Sequence, residues 1–228
     1  MISIVIPTYN ERDNIGKLVK EVLRYVDEIV IVDDNSPDGT GGIADKLAKS
    51  NKNIRVIHRT GRLGLGSAIV EGFYAARGNV VGVMDADFSH PPAALGSMIK
   101  HVDAGADIVL GSRYVKGGNI ENWPLRRKIV SKLAVMLARP LTDAKDPVTG
   151  FFLVRKKIFD DVKIKSGETK SWKVSLEMLV RGRYNRFVEV PYTFVNRKRG
   201  KSKISTAEYK TYLGQIIKLS AYKLKRVV

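Results

Sequence analysis

The chain has 228 residues, of which 44% are hydrophobic, so it is long enough for one domain with a sizeable core. It contains no cysteine, which excludes disulfides and thiolate metal sites, and no apolar run approaches the roughly 18 residues of a membrane span. The absence of cysteine fits a cytoplasmic protein, and the first residues lack the basic lead and the cleavage-type end of a signal peptide.

The net charge of +17 lies in the second half of the chain. Residues 1–112 hold 12 Lys and Arg against 14 Asp and Glu, whereas residues 113–228 hold 28 against 9. Such a basic half suits a phosphorylated substrate, an acidic membrane surface or a nucleic acid. The sequence has no RNA-binding aromatic motif, zinc finger or single-strand clamp, so we expect no nucleic-acid partner.

The first half alternates between apolar, β-branched runs and segments with helical periodicity. The predicted strands are residues 2–7, 28–33, 54–58, 79–84 and 107–111. The predicted helices are residues 13–25, 41–50, 65–77 and 92–103. This alternation predicts an α/β fold with a mostly parallel sheet and helices on both faces. Ligands of such sheets bind beyond the carboxyl ends of the strands.

The second half is less regular. After a glycine-rich loop at 114–124, we predict helices at 125–138, 172–183 and 205–226, strands at 148–155 and 187–195, and a basic loop at 196–203. A charge run such as this loop is often only solvated. The last helix is basic and amphipathic, so it either covers the core of the domain or lies in a membrane interface.

Two aspartates follow the fourth predicted strand, Asp85 and Asp87. Residues i and i+2 of an extended segment point the same way, so both carboxylates can face one spot. Two such charges repel unless a cation lies between them, and Mg²⁺ or Mn²⁺ suits a pair of hard oxygen ligands. The alternative is a turn at the end of the strand with two solvated aspartates.

The other predicted strands also end in polar or charged residues. Glu11, Asp34 and Arg113 join the two aspartates at one edge of the predicted sheet, which indicates a binding site there. Glycines occur at 61, 64 and 66, but they follow the third strand, where a dinucleotide fingerprint does not belong. A phosphate-loop motif is absent, so side chains and a metal would have to hold any nucleotide phosphates.

The motifs together resemble the dolichyl-phosphate mannose synthase family, within the inverting GT-A glycosyltransferases of family 2. The resemblance covers nearly the whole chain, and it rests on the order and spacing of the motifs. In the first half these are Pro7-Thr8-Tyr9-Asn10-Glu11, residues 32–40, Leu63-Gly64-Leu65-Gly66 and residues 84–91. In the second half they are Gly111-Ser112-Arg113-Tyr114, residues 127–131, residues 194–197 and Gly200-Lys201-Ser202-Lys203.

The resemblance implies a Rossmann-like GT-A fold and a role for each site residue. The nucleoside of GDP-mannose would be held by Pro7, Tyr9, Glu11, Val32 and Asp34. Its ribose and diphosphate would be held by Asp85, Ala86 and Asp87, and Arg197 and Lys203 of the basic loop would contact the diphosphate. Arg113 would also bind the nucleotide sugar. The ligands of Mg²⁺ or Mn²⁺ would be Asp85, Asp87 and Ser89, where some relatives carry glutamine in place of the serine. The phosphate of a polyprenyl (dolichyl) acceptor would bind Arg113, Arg127 and Ser131. The residues that carry catalysis would be Asp87, Arg113 and Arg127.

The resemblance also implies work at a membrane, although no predicted helix spans one. We expect a GT-A catalytic domain at 1–204, with a nucleotide-binding half at 1–112 and an acceptor-binding half at 113–204. The helix at 205–228 would then rest on the cytoplasmic face of the membrane. The chain is either peripheral, with or without a membrane-anchoring partner, or part of a longer membrane protein.

Two other functions are compatible with parts of the sequence. The same fold could transfer another sugar, such as glucose from UDP-glucose, because the choice of base and sugar rests on a few contacts. A non-catalytic nucleic-acid-binding module would use the basic half, but it leaves the acidic edge of the sheet unexplained.

Overall fold

A computed structural model describes residues 1–164, 173–196 and 206–226. The strands in these ranges are β1 Ile2–Thr8, β2 Glu28–Asp33, β3 Ile54–His58, β4 Val80–Val83, β5 Ile108–Ser112, β6 Asn119–Glu121, β7 Phe152–Arg155, β8 Phe187–Pro191 and β9 Thr193–Val195. The helices are α1 Arg12–Val22, α2 Thr40–Ser50, α3 Leu65–Ala75, α4 Ala94–Asp103, α5 Leu125–Ala138, α6 Lys156–Val162, α7 Val174–Arg181 and α8 Thr206–Lys225.

Seven strands form one sheet in the order β3-β2-β1-β4-β7-β5-β8. All of them are parallel except β7, which pairs antiparallel with both β4 and β5. β6 and β9 form a separate parallel pair, in which Ile120 lies opposite Phe194. The predicted α/β fold with a mostly parallel sheet is therefore confirmed.

The sheet buries both of its faces, because alternate residues of each strand point to opposite sides. On one side Ile4 and Ile6 of β1 pack with α1 and α4. On the other side Val5 packs with α3 and α7. This two-sided burial explains why the central strands read as continuous apolar runs.

Four details of the second half differ from the prediction. The loop at 114–124 contains the short strand β6, and α6 follows β7 without a connecting loop. Residues 148–151 lie outside any strand, and β7 begins only at Phe152. The predicted strand 187–195 is two strands, because Tyr192 turns aside and donates its backbone N–H to the Ser112 carbonyl. Segments of three to seven residues are too short to show a period, which is why the sequence did not separate them.

The last helix, α8, has one face on the domain and one face exposed. Tyr212 and Leu219 are buried, and the Tyr212 hydroxyl donates to the Ala134 carbonyl of α5 at 2.6 Å. Leu213 and Ile217, on the other face, are 48% and 70% exposed. Among the described helices, none combines the length and the apolar character needed to cross a bilayer. The division of the chain at 204 stays a prediction.

Candidate active site

Loops from four strands meet at the edge of the sheet where β1, β2, β4 and β5 end. Three of these loops contain a non-glycine residue with left-handed backbone, Asn10 (φ 56°), Asn35 (φ 56°) and Phe88 (φ 61°). Such a conformation is unfavourable for a bulky residue, and it is commonly kept where a turn must aim its neighbours. Each of the three lies next to a residue predicted for the site.

The loop after β1 is fixed to the loop after β2 by short hydrogen bonds. The Thr8 hydroxyl donates to Asp33 Oδ1 at 2.7 Å. The backbone N–H of Glu11 donates to the Thr40 hydroxyl at 2.9 Å. The Glu11 carboxylate is nearly buried and accepts from the Asn14 amide at 3.0 Å. Glu11 is therefore held rigidly at the start of α1.

Tyr9 and two backbone segments complete this part of the edge. The Arg62 guanidinium lies 4.9 Å from the centre of the Tyr9 ring. Pro7 lies opposite Val32 in the β1–β2 register. Val32 and Ala86 are buried, so any contact they make with a nucleoside would come mainly from the backbone.

The Asp34 carboxylate forms a buried ion pair that the sequence alone did not reveal. Arg59 Nη1 lies 2.5 Å from Asp34 Oδ1, and the Gly64 N–H donates to Asp34 Oδ2 at 3.0 Å. Arg59 also donates to the Ser67 hydroxyl at 2.6 Å. The role of Asp34 in holding a nucleoside stays a prediction, and in the structure this carboxylate fixes the glycine-containing loop before α3.

The turn after β4 brings Asp85, Asp87, Ser89 and His90 together. The Ser89 hydroxyl donates to Asp87 Oδ1 at 2.5 Å, and its backbone N–H donates to the same oxygen at 3.1 Å. Asp85 donates its backbone N–H to His90 Nδ1 at 3.1 Å. The His90 proton must therefore be on Nε2, which lies 3.8 Å from Asp85 Oδ2. Burial lowers the pKa of His90, although the charges of Asp85 and Asp87 oppose this effect.

The donor set of this turn fits a hard divalent cation. Asp85 and Asp87 offer carboxylate oxygens, which Mg²⁺ and Mn²⁺ prefer. Within the described residues, no group of three or more His, Cys, Asp or Glu side chains is placed to hold a metal. Mg²⁺ in proteins commonly has one or two carboxylate ligands, with water and substrate phosphates as the others. The Ser89 hydroxyl is bonded to Asp87, so its ligation of a metal stays a prediction.

Arg113, which follows β5, is held by the carboxylate of Asp146, which precedes the antiparallel strand β7. Arg113 Nε and Nη2 each donate to Asp146 at 2.7 Å, and the Arg113 backbone N–H donates to it at 3.0 Å. Asp146 is fully buried. Burial alone would lower the pKa of Arg113, and the Asp146 carboxylate outweighs it and raises that pKa above its usual value. Arg113 is thus fixed in position and permanently charged.

Arg127 lies beside Arg113 on a shared aromatic surface. Its Cζ is 4.0 Å from the centre of the Trp123 ring, and the Arg113 Cζ is 5.7 Å from the same ring. Arg127 Nη1 donates to Asn196 Oδ1 at 2.9 Å. Ser131, one turn further along α5, accepts from the Tyr114 hydroxyl at 2.9 Å. The structure therefore brings together the three residues predicted to receive the acceptor phosphate.

Aromatic rings connect the acidic turn to these arginines. The His90 ring stacks on Phe151 at 4.9 Å and meets Phe194 edge-on at 5.7 Å. Phe194 in turn meets Trp123 at 5.0 Å. Gly150 lies directly beside the acidic turn, since a Cβ atom at this position would be 3.9 Å from Asp85 Oδ1. The two carboxylates and the two arginines are thus adjacent parts of one site.

Arg197 and Lys203, predicted to contact the donor diphosphate, lie outside the described residues. Sequence reasoning missed Arg59, Trp123, Asp146 and the positioning of Asp85 by His90. Arg59 directly follows β3 and His90 lies in the turn after β4, so their position after a parallel strand could have pointed to both. No signal of this kind marks Asp146, because it precedes its strand.

Comparisons with known proteins identify the family of this chain. The profile described as Glycosyl transferase family 2 matches residues 3–163. A dolichol-phosphate mannosyltransferase of Pyrococcus furiosus is 44% identical over 96% of this chain, which spans 63% of that relative's length. A polyprenol monophosphomannose synthase of Mycolicibacterium smegmatis is 41% identical over 89% of this chain and 80% of the relative.

Solved structures share the fold at low sequence identity. A Pyrobaculum calidifontis mannosyltransferase, solved in complex with GDP-Man and Mn²⁺, superposes with a TM-score of 0.64 at 19% identity, covering 99% of this chain and 64% of that one. Glucosyl-3-phosphoglycerate synthase of Mycobacterium tuberculosis gives a TM-score of 0.65 at 17% identity, with 98% and 79% covered. These structures show the fold, and the family profile with the sequence relatives shows that the chain belongs to glycosyltransferase family 2, in its dolichol-phosphate mannosyltransferase branch.

Proposed function

We propose that this protein transfers mannose from GDP-mannose to a polyprenyl phosphate with inversion at the anomeric carbon. The observation that carries the proposal is the adjacency of an acidic turn, Asp85 to Asp87, and a pair of fixed arginines, Arg113 and Arg127. The acidic turn suits a metal-bound diphosphate, and the arginines suit a second phosphate. The names of the sequence relatives support the mannose donor and the lipid acceptor.

The acceptor needs no general base in this reaction. A phosphate monoester is already anionic at neutral pH, so its oxygen can attack the anomeric carbon directly. The bond from that carbon to the donor diphosphate breaks, and GDP leaves with the electron pair. The remaining difficulty is repulsion between the two anions. Arg113 and Arg127 screen this repulsion and align the attacking oxygen opposite the leaving group.

The leaving diphosphate needs stabilisation on the other side of the site. Asp85 and Asp87, with Ser89 nearby, would hold Mg²⁺ or Mn²⁺, which when bound offsets the negative charge that develops on the diphosphate. Asp87 is aimed by its two bonds from Ser89. Arg197 and Lys203 would add positive charge from the basic loop. Glu11 and Asp34, with Pro7, Tyr9 and Val32, would contact the nucleoside.

The surface of α5 and α8 supports docking to a membrane. Leu125, Ile129, Leu133 and Met136 form an exposed apolar stripe along α5. Arg127 and Ser131 lie on the opposite side of this helix, given its period of 3.6 residues. Exposed apolar side chains on one face of the neighbouring helix α8 are Tyr209, Leu213, Ile217 and Leu224. Apart from Arg127, the basic residues in these two helices or directly after them are Arg126, Lys128, Lys132, Arg139, Lys210, Lys218, Lys223, Lys225 and Arg226.

We infer that these two helices rest on the anionic, cytoplasmic face of a membrane, where their apolar side chains enter the interface. The test is liposome flotation of the wild-type chain and of the I217E and I129E variants. Tyr74, which is 49% exposed on α3, provides the control Y74E. We expect both isoleucine variants to lose binding to anionic vesicles and Y74E to keep it. Equal partition of all four proteins would contradict the docking surface.

The function itself is tested by an assay with radiolabelled sugar nucleotides. GDP-mannose and UDP-glucose are each offered with a polyprenyl phosphate and with the matching polyprenol. We expect transfer from GDP-mannose to the phosphate only, and only with a divalent ion. Transfer from UDP-glucose would show the same fold at work with another donor. Absence of transfer from either donor would refute the proposal.

A further inference from the structure

The indole of Trp123 carries a buried N–H group that lacks an acceptor. Trp123 is 9% exposed, and among the described residues none accepts a hydrogen bond from its Nε1. Elsewhere among the described residues, two other buried atoms lack a hydrogen bond, Glu28 Oε1 and Arg59 Nε. Each of them faces an opposite charge, Arg55 at 3.9 Å and Glu71 at 3.2 Å. A buried donor without a partner is costly, and proteins keep few of them.

This N–H belongs to the ring on which both acceptor-side arginines lie. The Arg127 guanidinium is 4.0 Å from the ring centre and the Arg113 guanidinium is 5.7 Å from it. Asn196 holds Arg127 from one edge, and Asp146 holds Arg113. Both cations therefore lie against the indole ring, and its N–H is the donor of this cluster that lacks an acceptor. An anion is the ligand that can accept from this N–H while lying beside two positive charges.

We propose that Trp123 Nε1–H donates a hydrogen bond to an oxygen of the acceptor phosphate, as a further binding residue between Arg113 and Arg127. This inference rests on the proposed function, because it takes the second phosphate of the reaction to be the ligand. A hydrogen bond to a charged oxygen is stronger than one to a neutral oxygen. The indole ring also keeps the two guanidinium groups in place, so one residue serves both to bind and to position.

The first test uses the wild-type chain and needs no stable variant. The ¹⁵N-labelled protein has two tryptophans, and the indole signal of Trp123 is the one that persists in W172F. Citronellyl phosphate is added without metal or sugar nucleotide, and GDP is added in a separate arm. We expect citronellyl phosphate to move the Trp123 signal and citronellol to leave it in place. A signal that ignores the phosphate, or that responds only to GDP, would overturn the proposal.

The second test separates the N–H group from the ring. W123F keeps an aromatic surface for the arginines and removes the donor. We expect the Kd of citronellyl phosphate to rise about tenfold, the lower end for a hydrogen bond to a charged group, with the KM for GDP-mannose within about twofold of wild type. Y184F, which removes a polar hydrogen before β8 at the other edge of the sheet, is the matched control.

The outcomes distinguish this inference from the proposed function. An unchanged Kd in W123F, or an equal loss of GDP-mannose and phosphate binding, would refute the role of the N–H group. A wild-type protein that binds citronellyl phosphate through Trp123 but transfers no mannose would refute the proposed function and leave the phosphate contact standing. Thermal unfolding of W123F verifies that the variant is folded.

Discussion

Replacing Asp146 by asparagine should destabilise the protein and weaken acceptor binding together. Asp146 is fully buried and accepts three hydrogen bonds from Arg113, which is itself 9% exposed. Removing one member of a buried ion pair leaves an uncompensated charge and costs about 3–5 kcal/mol. Asparagine keeps one acceptor oxygen, so we expect the free energy of unfolding to fall by about 3 kcal/mol, the lower end of this range. For a chain of this size that lowers the unfolding midpoint by about 6–12 °C.

Urea and thermal unfolding followed by circular dichroism measure this loss, and an acceptor titration measures the KM for polyprenyl phosphate. The matched control is D45N, since Asp45 is 48% exposed and pairs with His58 at the surface. We expect D45N to cost less than about 0.5 kcal/mol. The double variant R113M/D146N should be more stable than D146N, because it removes the unpaired charge that D146N leaves on Arg113. A free energy of unfolding of D146N within about 1 kcal/mol of the wild-type value would refute the predicted cost of the unpaired arginine.

Three other predictions concern two site residues, Asp87 and Arg127, and Asp38 in the loop between β2 and α2. D87A should lower kcat at least about 100-fold, since metal stabilisation is worth several kcal/mol, and substantial residual activity would defeat the metal site. R127A should chiefly raise the KM for the acceptor, whereas an equal rise for GDP-mannose would contradict its assignment. Burial raises the pKa of Asp38, but hydrogen bonds from Thr40 and Arg12 outweigh this and lower it. D38N should therefore be less stable than wild type above about pH 4, and the difference should vanish as the pH falls below the lowered pKa, as acid unfolding can show.

The first half of the fold could be predicted because its signals are local and repeated. Each buried strand is a continuous apolar run, and the helices between them are amphipathic, so the alternation leaves few other folds. The same alternation predicts that Glu11, Asp34 and Asp85 lie at one edge of the sheet, because each of them follows a parallel strand. The structure confirms that parallel order, with β1 between β2 and β4.

Asp146 could not be predicted by that logic, because β7 is antiparallel. Residues that follow a strand lie at the binding edge only when the strand is parallel to its neighbours. In β7 the residues at the same edge are those that come before Phe152, and these include Asp146 and Gly150. Strand direction depends on long-range pairing, which no local pattern in the sequence reports.

Trp123 stands out in the sequence only as one residue of a glycine-rich loop. Its importance comes from contacts with Phe194, which is distant in sequence, and with two arginines. The sequence does not show that both arginines lie against the same ring. Similarly, Arg59 and Asp34 are 25 residues apart and meet only once β2 and β3 are paired. Such side-chain partners depend on the tertiary structure, and residue types alone do not specify them.

The two sides of α5 bear on how much of a lipid acceptor the protein would recognise in the proposed reaction. The side that carries Arg127 and Ser131, which we propose binds phosphate, is separated from the apolar stripe by the thickness of a helix, about 10–12 Å. An acceptor that reaches Arg127 must draw its first isoprene units across that thickness, while the remaining tail stays among the other lipids. Turnover should therefore depend on those leading units and be almost indifferent to how long the tail is.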